Sequence, residues 1–237
     1  MTDLRGPRNF DEPGIPLAGL TQQLATRHIR ETKAARTPPR RMTTTNLDRA
    51  RESVAETHAK KATDHALWQS TQRPEFSREV RVFLWRSMHE GHKIGEYWAR
   101  MDNPTYQNRG YCTICGHNVP ETLEHILLEC ADPAREQIWG LAEDLWRHKH
   151  PKWHPLSYSL ILGCGQVTIR DPQTHRKLAG ATRLYRMLLS ESAYLIWKIR
   201  CVRRIDHSDD PDWRPHREYV HNEWYLCLYF CTFNISH

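Results

Sequence analysis

The chain has 237 residues, a length that fits one large domain or two small ones. Hydrophobic residues make up 39% of it and nine residues are tryptophan, which is enough for a hydrophobic core. Lys and Arg together number 34 against 28 Asp and Glu, and the resulting net charge of +6 favours a polyanionic partner.

Neither secretion nor a membrane span is expected from the apolar patterning. The start, MTDLRGPRNFDEPGIP, lacks an apolar stretch of signal-peptide length, and the longest apolar run, WYLCLYFCTF at 224–233, is much shorter than a bilayer span. We therefore expect an intracellular protein, nuclear or cytoplasmic, that does not engage a membrane. Its seven cysteines should then be mostly reduced thiols that are available to a metal.

Residues 1–45 are predicted to be a disordered, basic, Pro-rich linker. They contain five prolines, few aromatic residues and the basic run RHIRETKAARTPPRR. The one apolar patch in this segment, IPLAGLTQQLA, has the length of a short helix that docks elsewhere.

Residues 46–205 are predicted to form a helical domain. Asn46 is expected to cap a mostly solvated first helix, and Ser77 is expected to cap a second helix that Gly91 ends. Asp132 and Pro133 predict the start of a third helix, as N-cap and first-turn proline. The core positions predicted from helical spacing are Val80, Phe83, Leu84 and Met88, then Ile138, Trp139, Ala142, Leu145 and Trp146.

The remaining segments differ in the order that they are expected to have. LILGCG at 160–165 is typical of a short buried strand or turn, and 206–237 is expected to be an irregular tail. Two histidines near a helix end, His89 and His92, are expected to be solvated. The longest amphipathic helix should span 178–203, with an apolar stripe at Leu178, Ala181, Leu184, Tyr185, Leu188, Ser192, Leu195, Ile199 and Val202.

Basic residues crowd the C-terminal end of that long helix, namely Lys198, Arg200, Arg203 and Arg204. Cations at this end complement the helix dipole and add solubility. The same cluster also has the composition of a nucleic-acid-binding patch. Both interpretations stay open at the level of the sequence.

Four potential metal ligands lie within the nineteen residues CTICGHNVPETLEHILLEC, with the spacing Cys112-x2-Cys115-x9-His125-x4-Cys130. Two cysteines separated by two residues can turn both sulfurs toward one ion through a tight turn, and Gly116 stands where such turns often need a positive φ. Three thiolates and one imidazole complete a tetrahedral shell, which predicts a structural zinc ion with no open position for a catalytic water.

The segment PETLEHILLE is predicted to be a short helix that carries His125. On an ideal α-helix, Cys130 would lie roughly 140° around from this histidine, so the helix must end near Glu129 for both to reach one ion. The Ala-Asp-Pro that follows makes such an end natural. His117 is a rival fourth ligand, but it lies only two residues beyond Cys115, where chelation would strain the turn.

With these motifs in hand, the stretch from about Thr43 to Ile205 resembles the zinc-binding region downstream of reverse transcriptase and ribonuclease H in fungal non-LTR (LINE-like) retrotransposon polyproteins. The matching motifs are TTTNLD, FSREVRVFLWRSMHEGHKIGEYW, the CTIC…ETLEHILLEC block followed by IWGLAEDLW, LILGCG and RLYRMLLSESAYLIWKIRC, with HNEW at 221–224 similar to a later element. The resemblance places the zinc ligands on Cys112, Cys115, His125 and Cys130. It implies zinc binding and nucleic-acid binding near the polymerase.

The chain also departs from that family. Residues 1–45 are too short for ribonuclease H, whose chemistry needs several carboxylates around two divalent ions. GIPLAGLTQQLA resembles the linker that follows that domain, and the tail after Trp224 no longer resembles the family. These departures indicate a detached fragment of a mobile element.

Two classes of function compete. The first is a zinc-stapled, non-catalytic nucleic-acid-binding module of the zinc-knuckle type, with RNA or DNA as partner. The second is an all-α protein-interaction module in which zinc only folds the helices. An enzyme is not expected, because no nucleophile–base pair or open metal site can be named in the sequence.

Overall fold

The computed structural model describes residues 19–38, 40–55, 62–116, 118–210 and 212–233. Within these ranges the protein is all-α, as predicted, and apart from two isolated antiparallel bridges it contains no β-structure. Its α-helices are α1 (Gln22–Arg36), α2 (Arg41–Ala55), α3 (Asp64–Ser70), α4 (Arg78–Met88), α5 (Glu96–Ala99), α6 (Pro104–Gln107), α7 (Pro133–Arg147), α8 (Tyr158–Leu162), α9 (Ala179–Cys201) and α10 (Arg217–Phe233). None of the helices in this described part combines the length and apolar character needed to cross a bilayer.

The chain divides into two compact units, residues 1–40 and 41–237. In the first unit, within the segment predicted to be disordered, α1 forms a regular helix. Thr21 caps it by accepting a hydrogen bond from the backbone N–H of Leu24, and the helix consists largely of residues with high helix propensity. None of its residues is buried, so local propensity and capping account for it rather than a core.

In the second unit, α2 begins at Arg41, and Asn46 therefore lies inside the helix. The prediction of an Asn46 N-cap is wrong. Its buried amide instead donates to the carbonyl oxygens of Ser87 and Met88, at 3.4 and 3.3 Å, and satisfies two carbonyls at the end of α4. Leu47 and Ala50 are also buried, so α2 packs against the domain instead of being solvated.

Helix α4 follows the prediction closely. Ser77 caps it by accepting a hydrogen bond from the N–H of Val80 at 3.3 Å, and the predicted apolar positions are buried. The chain leaves the helix through Glu90, which adopts the positive φ of 47°, while the N–H of Gly91 donates to the Arg86 carbonyl at 2.8 Å. The stop therefore lies at the predicted place, with the left-handed residue one position earlier.

The LILGCG segment is buried, as predicted, and of the two predicted forms, strand or turn, it is not a strand: it consists of the end of a short helix and a turn. Ser157 caps α8 by accepting from the N–H of Leu160, and a 3₁₀ turn, Cys164–Gln166, follows. A Cβ on Gly165 would lie 2.2 Å from the carbonyl oxygen of Ser70, so only glycine fits this approach to α3.

Helix α9 is the centre of the domain. Helices α4, α7, α8 and α10 all pack against it, and it is buried on most sides through its middle turns. Of the predicted stripe, Tyr185, Leu188, Ser192, Leu195 and Ile199 are buried. On α7 the predicted core positions are buried apart from Leu145, which is 39% exposed because it lies at the edge of the apolar face.

The segment predicted to be an irregular tail contains the regular helix α10. Val220, Trp224, Leu228 and Cys231 recur at intervals of three or four residues and are all buried. The indole Nε1 of Trp224 donates to the Ser192 hydroxyl at 3.0 Å. This apolar stripe against α9 and α7 is the reason that the segment folds.

Candidate metal centre

The first two candidate ligands lie on a tight turn. An isolated bridge between Tyr111 and Pro120 closes its base, and the Gly116 N–H donates to the Cys112 carbonyl at 3.2 Å. Gly116 has φ = 109°, which confirms the predicted need for glycine after the second cysteine. The turn brings the Cys115 N–H to 3.4 Å from the Cys112 sulfur, so both thiols face the same side.

The other two ligands are brought together by a π-turn, His125–Glu129. The Cys130 N–H donates to the His125 carbonyl at 2.7 Å, an i→i+5 bond, and Cys130 itself has extended backbone angles. Because one turn of π-helix takes roughly four to five residues, positions five apart lie nearly above one another. The helix ends at Glu129, as predicted, and the wider turn removes the remaining angular mismatch.

The ligand atoms of Cys112, Cys115, His125 and Cys130 all lie within 4.8 Å of one another. The Cys130 sulfur is 3.6 Å from that of Cys112 and 3.8 Å from that of Cys115. All but Cys115, which is half-buried, are shielded from solvent. The four residues predicted from spacing therefore form one group that can hold a metal ion.

The imidazole of His125 is oriented for this role. Its Nδ1 lies 3.6 Å from the Glu129 carboxylate, whereas its Nε2 is buried and has no hydrogen-bond partner among the described residues. A carboxylate on the side of one ring nitrogen leaves the other nitrogen to a metal. An orphaned buried nitrogen beside three thiols is the observation that fits a metal ligand.

The contact between Cys130 and Cys112 favours a thiolate at Cys112. A hydrogen bond from the Cys130 thiol lowers the pKa of Cys112 well below the usual range of a thiol, and the same contact, with burial, raises the pKa of Cys130. The Ala131 N–H also donates to the Cys115 sulfur at 3.3 Å. A thiolate stabilised by N–H donors is the form of cysteine that binds a metal.

Two buried ion pairs anchor this segment, called here the metal loop (residues 110–132), to the end of α9 and to the π-turn Val202–Asp206 that follows it. Arg200 and Arg204 both face Glu121, which lies between the two ligand pairs, and Arg203 pairs with Asp132. Asp132 also accepts from the N–H of Ala134 and caps α7, as predicted. These contacts hold both sides of the ligand group.

The predicted basic patch therefore does not form one exposed surface. Arg200 and Arg203 are only 7% and 4% exposed and serve as internal counter-ions of the metal loop. Lys198 pairs with Glu223 of α10 at 3.3 Å, and Arg204 donates to the Arg109 carbonyl at 2.9 Å. The sequence could not show this, because the acidic partners lie 25 to 79 residues away.

A set of exposed cations that the sequence analysis did not single out lies beside the metal loop. Arg86, Lys93 and Arg109 line a cavity of about 620 Å³, called here the basic cavity, together with Thr113 between the first two ligand cysteines. These cations come from three separate segments. The only sequence signal was the interleaving of basic and aromatic residues in 85–109.

Two histidines predicted to be solvated are packed against aromatic rings. The ring of His92 lies 4.4 Å from that of Trp197 and 5.4 Å from that of Phe83, and burial lowers its pKa to about 4. The ring of His89 stacks on Trp68 at 4.9 Å. The rival ligand His117 lies outside the described residues.

Within the described part of the chain, no second group of cysteine, histidine and carboxylate side chains is close enough to hold a metal ion. Cys164, Cys201, Cys227 and Cys231 lie apart from the metal loop as free thiols that are buried or half-buried. The chain matches no protein-family model, no curated protein and no solved structure.

Proposed function

We propose that this chain is a zinc-stabilised nucleic-acid-binding module, derived from a retrotransposon reverse transcriptase polyprotein, that acts inside the cell and has no catalytic activity of its own. The origin rests on the sequence motifs that resemble the zinc-binding region of those polyproteins. The binding role rests on the charge distribution around the metal loop.

The donor set and its spacing support zinc as the metal. Zinc prefers tetrahedral sites with sulfur and nitrogen ligands, and zinc–sulfur bonds of about 2.3 Å imply sulfur–sulfur separations of about 3.8 Å. The two separations that Cys130 makes, 3.6 and 3.8 Å, agree with this value. Four protein ligands complete the shell, so the ion would stabilise the fold without binding substrate.

The observation that carries the nucleic-acid role is the basic cavity. Arg86, Lys93 and Arg109 are exposed and make no ion pair with any described residue. No Asp or Glu lines the cavity. A concave surface that is lined by cations and carries no carboxylate attracts a polyanion. Nucleic acid is also the polyanion that the resemblance to retrotransposon polyproteins implies.

The carboxylates near the metal loop support a non-catalytic role. Glu121 and Asp132 are buried and paired with arginines, so they act as structural counter-ions. Hydrolysis of a nucleic acid needs carboxylates that are free to hold divalent ions. Magnesium-dependent cleavage of an RNA–DNA hybrid by the pure protein would contradict this part of the proposal.

The alternative is a protein-interaction module, and one surface favours it. One side of α10 carries large apolar side chains whose exposed fractions lie between 44% and 59%, namely Tyr219, Tyr225, Leu226, Tyr229 and Phe230. Exposed apolar groups on one helix are typical of protein contact sites.

Fluorescence anisotropy separates these two functions. The protein is titrated against labelled single-stranded RNA, single-stranded DNA and duplex DNA at several salt concentrations. We expect binding to at least one of them, with an affinity that falls steeply as salt rises because bound cations are released. No binding to any of the three at low salt would refute the nucleic-acid role and leave the protein-interaction module.

A further inference from the structure

The basic cavity is assembled from several separate parts of the domain. Trp85 and Arg86 come from the last turns of α4, Trp98 from α5, and Thr113 from the metal loop. The end of α9 and the π-turn Val202–Asp206 form the remaining wall. A cavity of about 620 Å³ is of a size that encloses a small group such as a nucleotide, whereas a duplex needs a broad groove or a protruding element.

Three cations of the cavity have no carboxylate partner among the described residues, in contrast to those deeper in the fold. Arg86, Lys93 and Arg109 are exposed, whereas Arg200 and Arg203 at the inner wall are neutralised by buried carboxylates. The free cations stand around the rim. This arrangement suits phosphate groups that follow one another along a strand.

The cavity also presents aromatic rings whose orientation is fixed. Trp98 donates from its indole Nε1 to the Lys93 carbonyl at 2.6 Å. The Arg109 guanidinium lies 5.5 Å from the Trp98 ring and 5.3 Å from the Tyr106 ring, which holds this cation against the wall. Trp85 contacts the ring of His89 at 4.5 Å, and half of its side chain remains exposed to solvent.

We infer that the basic cavity binds single-stranded nucleic acid, with an unpaired base stacking on Trp85 and phosphates contacting Arg86, Lys93 and Arg109. This inference rests on the proposed nucleic-acid role and assigns it a site and a strand state. An aromatic ring can stack only on a base whose face is exposed, and in a duplex both faces are covered by neighbouring bases.

The metal loop is part of this site. Thr113 lies between the first two ligand cysteines and lines the cavity, and Arg204, which faces Glu121 of the loop, donates to the Arg109 carbonyl. Loss of the metal should therefore displace the wall of the cavity at Thr113. It should also weaken the contact through which Arg204 holds the Arg109 backbone in place. Binding of single strands should weaken when the metal is removed.

The test measures the affinity of the full chain for fluorescein-labelled rU15, dT15 and a 15-base-pair duplex of mixed sequence. We expect both single strands to bind at least tenfold more tightly than the duplex, and the ratio of the two affinities tells whether RNA or DNA is preferred. Trp85→Ala should weaken single-strand binding about tenfold. Trp85→Phe should restore most of it, because a ring is retained.

Charge and stacking are separated by a second pair of variants. The slope of log affinity against log salt gives the number of counterions released on binding, and Lys93→Gln should reduce this number by about one. Arg183 is an exposed cation outside the cavity, and Arg183→Gln should leave the slope unchanged. Tyr225→Ala on α10 is the matched control for the loss of an exposed ring. Thermal unfolding confirms that each variant is folded, and quenching of tryptophan fluorescence by dT15 reports stacking without any substitution.

Three results would overturn the inference. If the duplex bound as tightly as dT15 and Trp85→Ala did not change the affinity for single strands, nucleic acid would bind elsewhere on the protein and the proposed function would remain intact. Absence of binding to all three nucleic acids would remove the proposed function as well. A polyglutamate peptide that binds as tightly as dT15 would show that the cavity recognises negative charge alone and suits an acidic protein partner.

Discussion

The Arg200 guanidinium donates from its Nε to the Glu121 carboxylate at 3.1 Å, across 79 residues of sequence. Glu121 belongs to the metal loop and Arg200 to the last turn of α9, and both side chains are almost fully buried. Arg204 also faces this carboxylate, at 3.8 Å. A single carboxylate therefore joins the metal loop to the central helix.

Removal of this charge should destabilise the protein strongly. We expect Glu121→Gln to lower the free energy of unfolding by about 3 kcal/mol, because the arginines that face the carboxylate are left without a full counter-charge in a buried site. Urea unfolding monitored by tryptophan fluorescence measures this loss.

Glu143→Gln is the matched control. Glu143 accepts from Arg147 at 2.7 Å on the exposed side of α7, and this substitution should lower the stability by less than about 1 kcal/mol. Equal effects of the two substitutions would mean that the Glu121 pair does not anchor the metal loop.

The metal assignment predicts one zinc ion per chain. Mass spectrometry of metals in protein purified without added metal should find it, and Cys112→Ser or His125→Ala should remove it. Cys227→Ser, a change to a half-buried cysteine outside the metal loop, should leave the zinc content unchanged. Full occupancy in the two ligand variants would refute the site.

Local chemistry explains why part of the fold and the grouping of Cys112, Cys115, His125 and Cys130 could be predicted from the sequence. Ser77 and Asp132 cap their helices through contacts two or three residues away, and such contacts can be read from short motifs. The four candidate ligands lie within nineteen residues, so their spacing alone restricts how far apart their side chains can be in the fold.

The features that could not be predicted depend on distant partners. The roles of Arg200 and Arg203 are set by carboxylates 79 and 71 residues away, and that of Asn46 by carbonyls 41 and 42 residues away. Helix α10 was missed for a different reason. Its apolar residues stood at helical spacing, but the departure from the family motifs led to the prediction of an irregular tail.

The half-buried ring of His92 predicts a pH dependence of stability. Burial lowers its native pKa from 6.5 to about 4, and the positive charges of Arg86 and Arg200 act in the same direction. The unfolded chain therefore takes up the proton first. The stability contributed by the neutral ring is complete above pH 6.5 and is lost as the pH falls toward 4, by up to about 3 kcal/mol.

His92→Gln isolates this contribution. Urea unfolding of both proteins from pH 7.5 to 4.5 should give a stability difference that shrinks as the pH falls. Acid release of the metal affects both proteins equally and cancels in the difference. A difference that is constant with pH would show that His92 is not the titrating group.

The last prediction concerns how far the loss of the metal spreads. The His125–Glu129 turn is too short to be stable alone, and without metal the thiols lose the ion that joins them. Ile126 and Leu127 still belong to the core, and the Trp139 indole donates to the Leu127 carbonyl at 2.8 Å. We therefore expect a strong chelator or Cys130→Ser to raise hydrogen exchange across 105–150 most strongly at 110–125, where the ligand turn lies.

Helix α9 distinguishes local from global unfolding in this experiment. Its middle turns carry their own buried stripe and should keep substantial protection over 180–196, whereas 199–206 should lose part of it because Arg200 and Arg203 face the metal loop. Unchanged exchange across 105–150 would refute the stabilising role of the metal. Equal loss of protection along α9 would mean that the ion supports one cooperative core, because the buried ion pairs then transmit the opening of the loop to the whole domain.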